Sequence, residues 1–246
     1  MAGIAAQISA LPKSQRFGPS DLLLPLDSLS LLYPLTVTLA ALFSNASIVL
    51  TSISGPTADY SMAFLGISPT MIVASEETML RACSAKKAAV TGVFQKISYS
   101  RQIRSLASGV MPKLSTTMLN QSPRVIFVSH RAGANSLLLS SADISDLRIL
   151  TGARIIYALT SAKVAGAVSQ SNVFDYRTTV NANEASHFGP PLSCLEIMFK
   201  DSPEHKIRDG TDPTGWLVAG GPAVVGGEAN LGIIASMRDD NTLKLP

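Results

Sequence analysis

The stretch RIIYALTSAK, from Arg154 to Lys163, places β-branched, aromatic and leucine side chains directly before a polar turn. This composition is typical of a buried strand that ends at its carboxyl side. The segment before it, SADISDLRIL, is typical of a short capped helix or turn. A helix followed by a buried strand is one repeat of an alternating α/β pattern, so the neighbouring segments decide the fold class.

Strand and helix patterns alternate from residue 22 to residue 185. Besides RIIYAL, the strand candidates are IVLTSI, PTMIVAS and SPRVIFVSH. The helix candidates are TADYSMAFLGI (57–67) and the amphipathic EETMLRACSAKKAAVTGVFQKI (76–97), and residues 107–122 indicate a flexible loop. This alternation predicts an α/β fold, with a layered, mainly parallel sheet flanked by helices.

From about Ser186 the pattern changes to strands without helices. LSCLEIMFKD, GWLVAGGPAVVGG and LGIIASMRDDNTLKL are strand-like and are separated by Gly, Pro and Asp turns, which predicts a β-rich C-terminal subdomain. We therefore predict three units along the chain. They are an N-terminal helix and loop segment (1–21), an α/β subdomain (22–185) and a β-rich subdomain (186–246).

Composition excludes several classes of protein. Hydrophobic residues make up 46% of the 246 residues and charged residues 15%, which is not the composition of a disordered chain. The net charge is +3, and no Lys/Arg run is interleaved with aromatics, so we expect no nucleic-acid partner. The two cysteines and three histidines show no metal-ligand spacing. We expect no metal site and no disulfide, and a reducing intracellular compartment.

The segment from Ser28 to Ala58 contains no charged residue and is long enough to cross a bilayer. Its polar residues and the SNAS break favour a different interpretation, which is a buried helix at about 29–43, a turn and a buried strand. The N-terminus lacks the basic and apolar regions of a secretory signal. We therefore predict a cytoplasmic protein or one peripheral to an organelle membrane, with a transmembrane span as the alternative.

Five segments follow, in the same order, the motifs of one known superfamily. They are LLLPLDSLSLLYPLTVTLAALFSNASIVL (22–50), GISPTMIVASEETML (66–80), DLRILTGARIIYALTS (146–161), HFGPPLSCLEIMFKD (187–201) and TGWLVAGGPAVVGGEA (214–229). Together they resemble the adenylate-forming (AMP-dependent synthetase/ligase) superfamily, and acyl-CoA synthetases in particular. The resemblance runs from Leu22 to the end of the chain and implies a partial AMP-binding domain.

The resemblance also implies a ligand site on YALTS. In the family a Tyr-Gly-x-Thr-Glu turn lies against the adenylate, and here Tyr157, Ala158, Thr160 and Ser161 occupy its positions. Tyr157 would stack on adenine and Thr160 would contact phosphate. ATP or AMP, Mg²⁺ and coenzyme A are the implied cofactors. An acyl tunnel would be lined from the 29–43 region, from 154–159 and from 163–168.

Two substitutions depart from the family pattern. Ser161 stands where the family has a magnesium-holding glutamate, and a neutral hydroxyl is a poor ligand for this cation. Ile233 stands where an aspartate accepts hydrogen bonds from both ribose hydroxyls, which an aliphatic side chain cannot do. Ala158 replaces a glycine, which matters if the position requires a positive φ.

These departures predict that the chain is not self-sufficient as an acid–thiol ligase, and no catalytic residue is assigned. The family's phosphate-binding loop and its mobile lysine-bearing subdomain are not found in the sequence, which suggests a fragment or a degenerate domain. The alternative is a non-catalytic pseudoenzyme module that binds a fatty acyl group or a protein. Uncovered apolar surface would then lead to self-association or contact with a membrane surface.

Overall fold

The computed structural model describes residues 1–55, 62–64, 66–89, 93–111, 123–177, 183–207 and 212–246. Its elements are α1 (Ala2–Ser9), β1 (Leu22–Pro25), α2 (Leu32–Phe43), β2 (Ser47–Ile48), β3 (Met71–Ser75), α3 (Glu76–Ala89), α4 (Val93–Ala107), β4 (Val125–Arg131), α5 (Ser141–Thr151), β5 (Arg154–Thr160), β6 (Ala167–Gln170), β7 (Glu196–Lys200), β8 (Thr214–Gly220), β9 (Glu228–Met237) and β10 (Leu243–Lys244). Most of the predicted helix at 57–67 and of the predicted loop at 107–122 lies outside the described residues.

The main sheet has six strands in the order β2-β1-β3-β4-β5-β6. Its pairings are parallel from β2 through β5, and β6 is antiparallel at the edge. The central strands are buried on both faces, which explains their continuous apolar runs. The predicted mainly parallel sheet flanked by helices is therefore confirmed.

Local signals fix both ends of α5 and the start of β5. The Ser140 hydroxyl accepts a hydrogen bond from the Asp143 amide at 3.1 Å, and the Asp143 carboxylate accepts one from the Ser140 amide at 3.0 Å, which together form a capping box. Gly152 closes the helix in the left-handed region at φ 67°. The chain then reverses and enters β5 parallel to β4.

Two apolar cores cover the two faces of the main sheet. Side chains alternate along β5, so Ile155 and Tyr157 face one core while Ile156 and Ala158 face the other. The first core continues into the C-terminal strands, and the second packs against α1 and α2. The alternating side chains of β5 therefore contribute to the apolar cores on both faces of the sheet.

The C-terminal strands form an antiparallel sheet in the order β10-β9-β8-β7, which confirms the predicted β-rich segment. Backbone hydrogen bonds join this sheet to the α/β part of the chain. The Ala165 amide donates to the Ala223 carbonyl at 2.8 Å, and Val164 forms an isolated bridge with Val224. Lys163, at the turn after β5, adds a bond from its Nζ to the Asn230 carbonyl at 2.7 Å.

The described part of the uncharged segment, residues 28–55, contains α2, a turn with Asn45 at φ 59°, and the two-residue strand β2. Among the residues described, no helix is both long and apolar enough to cross a bilayer. The predicted helix at 76–97 is assigned as α3 and α4 on either side of residues 90–92, which are not described, and α4 continues to Ala107.

Candidate functional site

A cavity of about 520 Å³ opens at the carboxyl edge of the main sheet. Its walls come from the connection between β1 and α2 and the start of α2, the junction of β3 and α3, the end of β4 with the loop after it, and the end of β5. The strands that contribute are neighbours in the parallel part of the sheet. Open α/β sheets bind their ligands in the crevice at this edge, so this cavity is the candidate site.

Thr160 and Ser161 are the two predicted site residues that line the cavity. The Thr160 hydroxyl donates to the His130 carbonyl at 2.9 Å, and the Ser161 hydroxyl accepts from the Lys163 amide at 3.2 Å. Both side chains are largely buried and held by neighbouring backbone. They place neutral hydroxyl groups on the cavity wall.

Tyr157 is fully buried in the first core and does not line the cavity. Its hydroxyl donates to Glu76 Oε2 at 2.9 Å and accepts from the Leu139 amide at 3.2 Å. The Phe188 ring lies against it, with 4.5 Å between ring centroids. The adenine contact inferred for Tyr157 stays a prediction, and it requires the groups that enclose the ring to move.

Ala158 is a regular strand residue in the second core, opposite Ser129 on β4 and Gln170 on β6. Its φ is not positive, so the glycine of the family turn is not required by the backbone here. Of the three stretches expected to line an acyl tunnel, only the start of α2 reaches the cavity; 154–159 and 163–168 do not.

Glu76 connects the cavity to a buried polar network. Besides the Tyr157 hydroxyl it contacts His130 Nδ1, 2.7 Å from Glu76 Oε1, and both side chains are at least 95% buried. Glu76 follows β3 directly, His130 lies near the carboxyl end of β4, and Tyr157 lies in the middle of β5. A buried carboxylate with two hydrogen-bond partners therefore connects these three neighbouring segments behind the cavity.

Charged groups are distributed unevenly around the cavity. Asp27, Glu76 and Glu77 contribute carboxylates, while Arg131 is the cation of the lining described. Burial raises the pKa of the Asp27 carboxyl, although the Ser28 amide and the Arg131 charge oppose the shift. Across the described parts of the chain, no group of three or more His, Cys, Asp or Glu side chains is arranged to hold a metal ion.

Sequence analysis missed Asp27 and Glu76. Glu76 follows β3 directly and Asp27 lies two residues after β1, so both belong to the carboxyl edge once the sheet is known to be parallel. An acidic residue just after a buried strand is a signal that could have identified them. Ile233, on β9, is partly buried and packs against the first core.

No protein-family model and no curated protein matches the sequence, but solved structures do. A benzoate CoA ligase from Burkholderia xenovorans LB400 matches with a TM-score of 0.63 and 14% identity, over 99% of this chain and 45% of that one. O-succinylbenzoate coenzyme A synthetase from Bacillus subtilis, solved with ATP and magnesium ion, matches with a TM-score of 0.62 and 12% identity, over 99% and 44%. A malonyl-CoA ligase solved with methylmalonyl-CoA and AMP matches with a TM-score of 0.61 and 15% identity, over 100% and 48%.

These neighbours confirm the resemblance to adenylate-forming enzymes at the level of the fold. The aligned region includes both sheets, since almost the whole chain is covered. The chain spans less than half the length of each of these ligases. The protein therefore has the fold of the adenylate-forming CoA ligases, over a part of their length.

Proposed function

We propose that the chain is part of an adenylate-forming ligase, and that its contribution is to bind the carboxylic acid in the cavity at the carboxyl edge of the main sheet. The position of that cavity is the observation that carries the proposal. It lies where α/β sheets bind ligands, in a fold that this chain shares with CoA ligases. Its volume is also within the range of small-molecule sites.

We propose an acyl group whose chain contacts the start of α2 and whose carboxylate pairs with Arg131, the cation among the three carboxylates of the lining described. Leu31, Leu32 and Pro34 supply an apolar wall at the start of α2. Arg131 lies on another wall, and a guanidinium can pair with a carboxylate through two hydrogen bonds. We propose a fatty acid as the substrate class because three of the side chains on this wall are aliphatic, beside Tyr33.

The residues described do not fit a magnesium nucleotide as the resemblance implied. Tyr157 is enclosed, Ser161 supplies no carboxylate and Ile233 packs in a core. The carboxylates near the cavity do not converge on a cation site within the described ranges. In such ligases ATP supplies the AMP group that activates the acid, and coenzyme A then accepts the acyl group.

This mismatch favours a second candidate, a non-catalytic module that binds the acyl group alone. The enclosed Tyr157 ring supports this second candidate, because its hydroxyl and one ring face are already in contact with protein groups. Both candidates use the same cavity. They differ in whether a nucleotide binds to this chain.

Titration calorimetry with dodecanoate, AMP and ATP–magnesium tests these proposals. Dodecanoate should bind under both candidates, and a nucleotide affinity tighter than about millimolar would favour the ligase.

Ala162→Trp, which places a large ring at the cavity wall, should weaken dodecanoate binding at least about tenfold. Ala107→Trp is the matched control, since Ala107 is exposed on α4 and outside the cavity. Dodecanoate binding that is equal in both variants would exclude the cavity as the acyl site.

We also propose that the chain self-associates through the outer face of α2. Leu39, Leu42 and Phe43 are 38%, 51% and 66% exposed on that face, and Leu50 after β2 is 68% exposed. No charged residue lies between Ser28 and Ala58, so two copies of this surface can meet without repulsion between like charges.

A further inference from the structure

A second, much smaller cavity lies beside the first turn of α5, away from the site described above. It measures about 10 Å³, which is room for one water-sized or monatomic occupant. The α5 wall consists of Ser141, Ile144 and Arg148. The rest of the lining consists of Ser171, Asp175, Arg177, Ser186 and His187. None of these residues takes part in the proposed acyl site.

Arg148 presents an unpartnered donor to this cavity. The residue is 3% exposed, and its Nη2 donates to the Asp175 carbonyl at 2.5 Å. Its Nε is buried and has no hydrogen-bond partner among the residues described. Burial lowers the pKa of this guanidinium to about 10, which leaves it charged at neutral pH. A buried charge with an unmade hydrogen bond is costly unless a ligand completes it.

The neighbouring side chains also present hydrogens. His187 Nδ1 accepts from the Gly189 amide at 3.1 Å, so in the neutral ring the proton is on Nε2. Burial lowers the pKa of His187, which favours this neutral form. Ser171 Oγ accepts from the Tyr157 amide at 2.9 Å, which leaves its own hydrogen to donate elsewhere.

Asp175 is the carboxylate of this lining, and it is already paired. Arg177 donates from Nε to Oδ1 at 2.9 Å and from Nη2 to Oδ2 at 2.7 Å. His187 Nε2 is 3.6 Å from Oδ2, beyond hydrogen-bond distance. The cavity is therefore lined mainly by donors.

We propose that this cavity binds a single small anion, of which chloride is the physiological example. Arg148 Nε, His187 Nε2 and the Ser171 hydroxyl would donate to it, and the charge of Arg148 would be compensated in the interior. Because these donors are brought together only in the folded chain, anion binding should stabilise the folded state.

Thermal unfolding in sodium chloride against sodium gluconate, at constant ionic strength, tests the proposal. The melting temperature should rise saturably by about 2–4 °C with chloride. Chloride-35 NMR on the same protein should show excess line broadening. In Arg148→Met the rise in melting temperature and the line broadening should both disappear. Arg154→Met is the control, because it also removes an unpartnered buried Nε but Arg154 does not line the cavity, and both effects should persist there.

Ser171→Ala provides a second measurement if Arg148→Met does not fold. Loss of one donor to the anion should raise the half-saturating chloride concentration roughly tenfold. Equal melting temperatures in the two salts with no line broadening would overturn the proposal and indicate water in the cavity. Chloride dependence that persists unchanged in Arg148→Met would also overturn it.

Discussion

At the scale of single residues, Tyr157 is enclosed by other groups of the protein in this structure. In the YALTS motif its ring was assigned to a ligand, yet the structure places its hydroxyl between Glu76 and the Leu139 amide. Strand alternation along β5 explains the difference, since every second residue faces the first core. Within this motif, the residues that reach the cavity are Thr160 and Ser161.

Tyr157→Phe should destabilise the protein by about 1–3 kcal/mol, because Glu76 Oε2 and the Leu139 amide each lose a partner inside the core. Urea unfolding measures the change. Tyr176→Phe is the control, since that residue is only partly buried, and it should cost less than about 0.5 kcal/mol. Equal effects in the two variants would contradict the buried network.

Asp27 leads to a prediction about pH. Burial raises the pKa of its carboxyl above the unfolded value of 3.8, so the folded state binds the proton more tightly than the unfolded state. The contribution of Asp27 to stability is therefore greatest below pH 3.8 and is lost as the pH rises through the folded pKa. Asp27→Asn should be more stable than wild type at pH 7, and the difference should shrink towards pH 4. Denaturant unfolding across this range checks it, and a difference that grows as the pH falls would contradict it.

At the scale of elements, α2 has an unusual distribution of side chains. Thr36 and Thr38 are buried and donate to carbonyls one turn earlier, while Leu42 and Phe43 are exposed. A helix that is apolar on all faces is normally covered on all faces. Its sequence predicted a buried helix, and the helix is correct, but its outer face is uncovered among the residues described.

Helix α1 packs closely on the segment between β5 and β6. An added Cβ at Gly3 would lie 1.7 Å from the Ala165 carbonyl oxygen. Gly3→Ala should therefore displace α1 and cost about 1–3 kcal/mol in urea unfolding. Gly18→Ala is the matched control because nothing lies within 4 Å of its added Cβ. A Gly3→Ala protein as stable as the control would show that α1 is not docked as described.

Helices and strands were predictable from the sequence where the periodicity of hydrophobic residues agrees with the residues that mark the ends of an element. The buried strands β3, β4 and β5 and the capped helix α5 follow from local patterns. Short edge elements such as β2 and β6 have two and four residues, and their strand character depends on neighbouring strands. Which charged residues meet at the cavity depends on the order of the strands in the sheet, and hydrophobic periodicity does not determine that order. Asp27 and Glu76 were therefore missed although each follows a strand.

At the scale of the whole molecule, the exposed α2 face predicts self-association. Light scattering after size-exclusion chromatography should give a mass above that of one 25.9 kDa chain. Phe43→Glu should return the protein to a monomer, because it places like charges opposite each other at a two-fold contact. Leu137→Glu is the control, at a residue that is 80% exposed outside this face. A monomeric wild-type protein would contradict the prediction, and binding to lipid vesicles without self-association would assign the face to membranes.

The central claim is that the cavity at the carboxyl edge of the main sheet binds an acyl group. Photolabelling with a diazirine-bearing fatty acid, followed by peptide mass spectrometry, tests it most directly. The label should map to residues 27–34, 129–136 or 160–162 and should be displaced by excess dodecanoate. Label confined to the exposed end of α2, at residues 39–43, would show that the acyl group binds the outer surface and would contradict the claim.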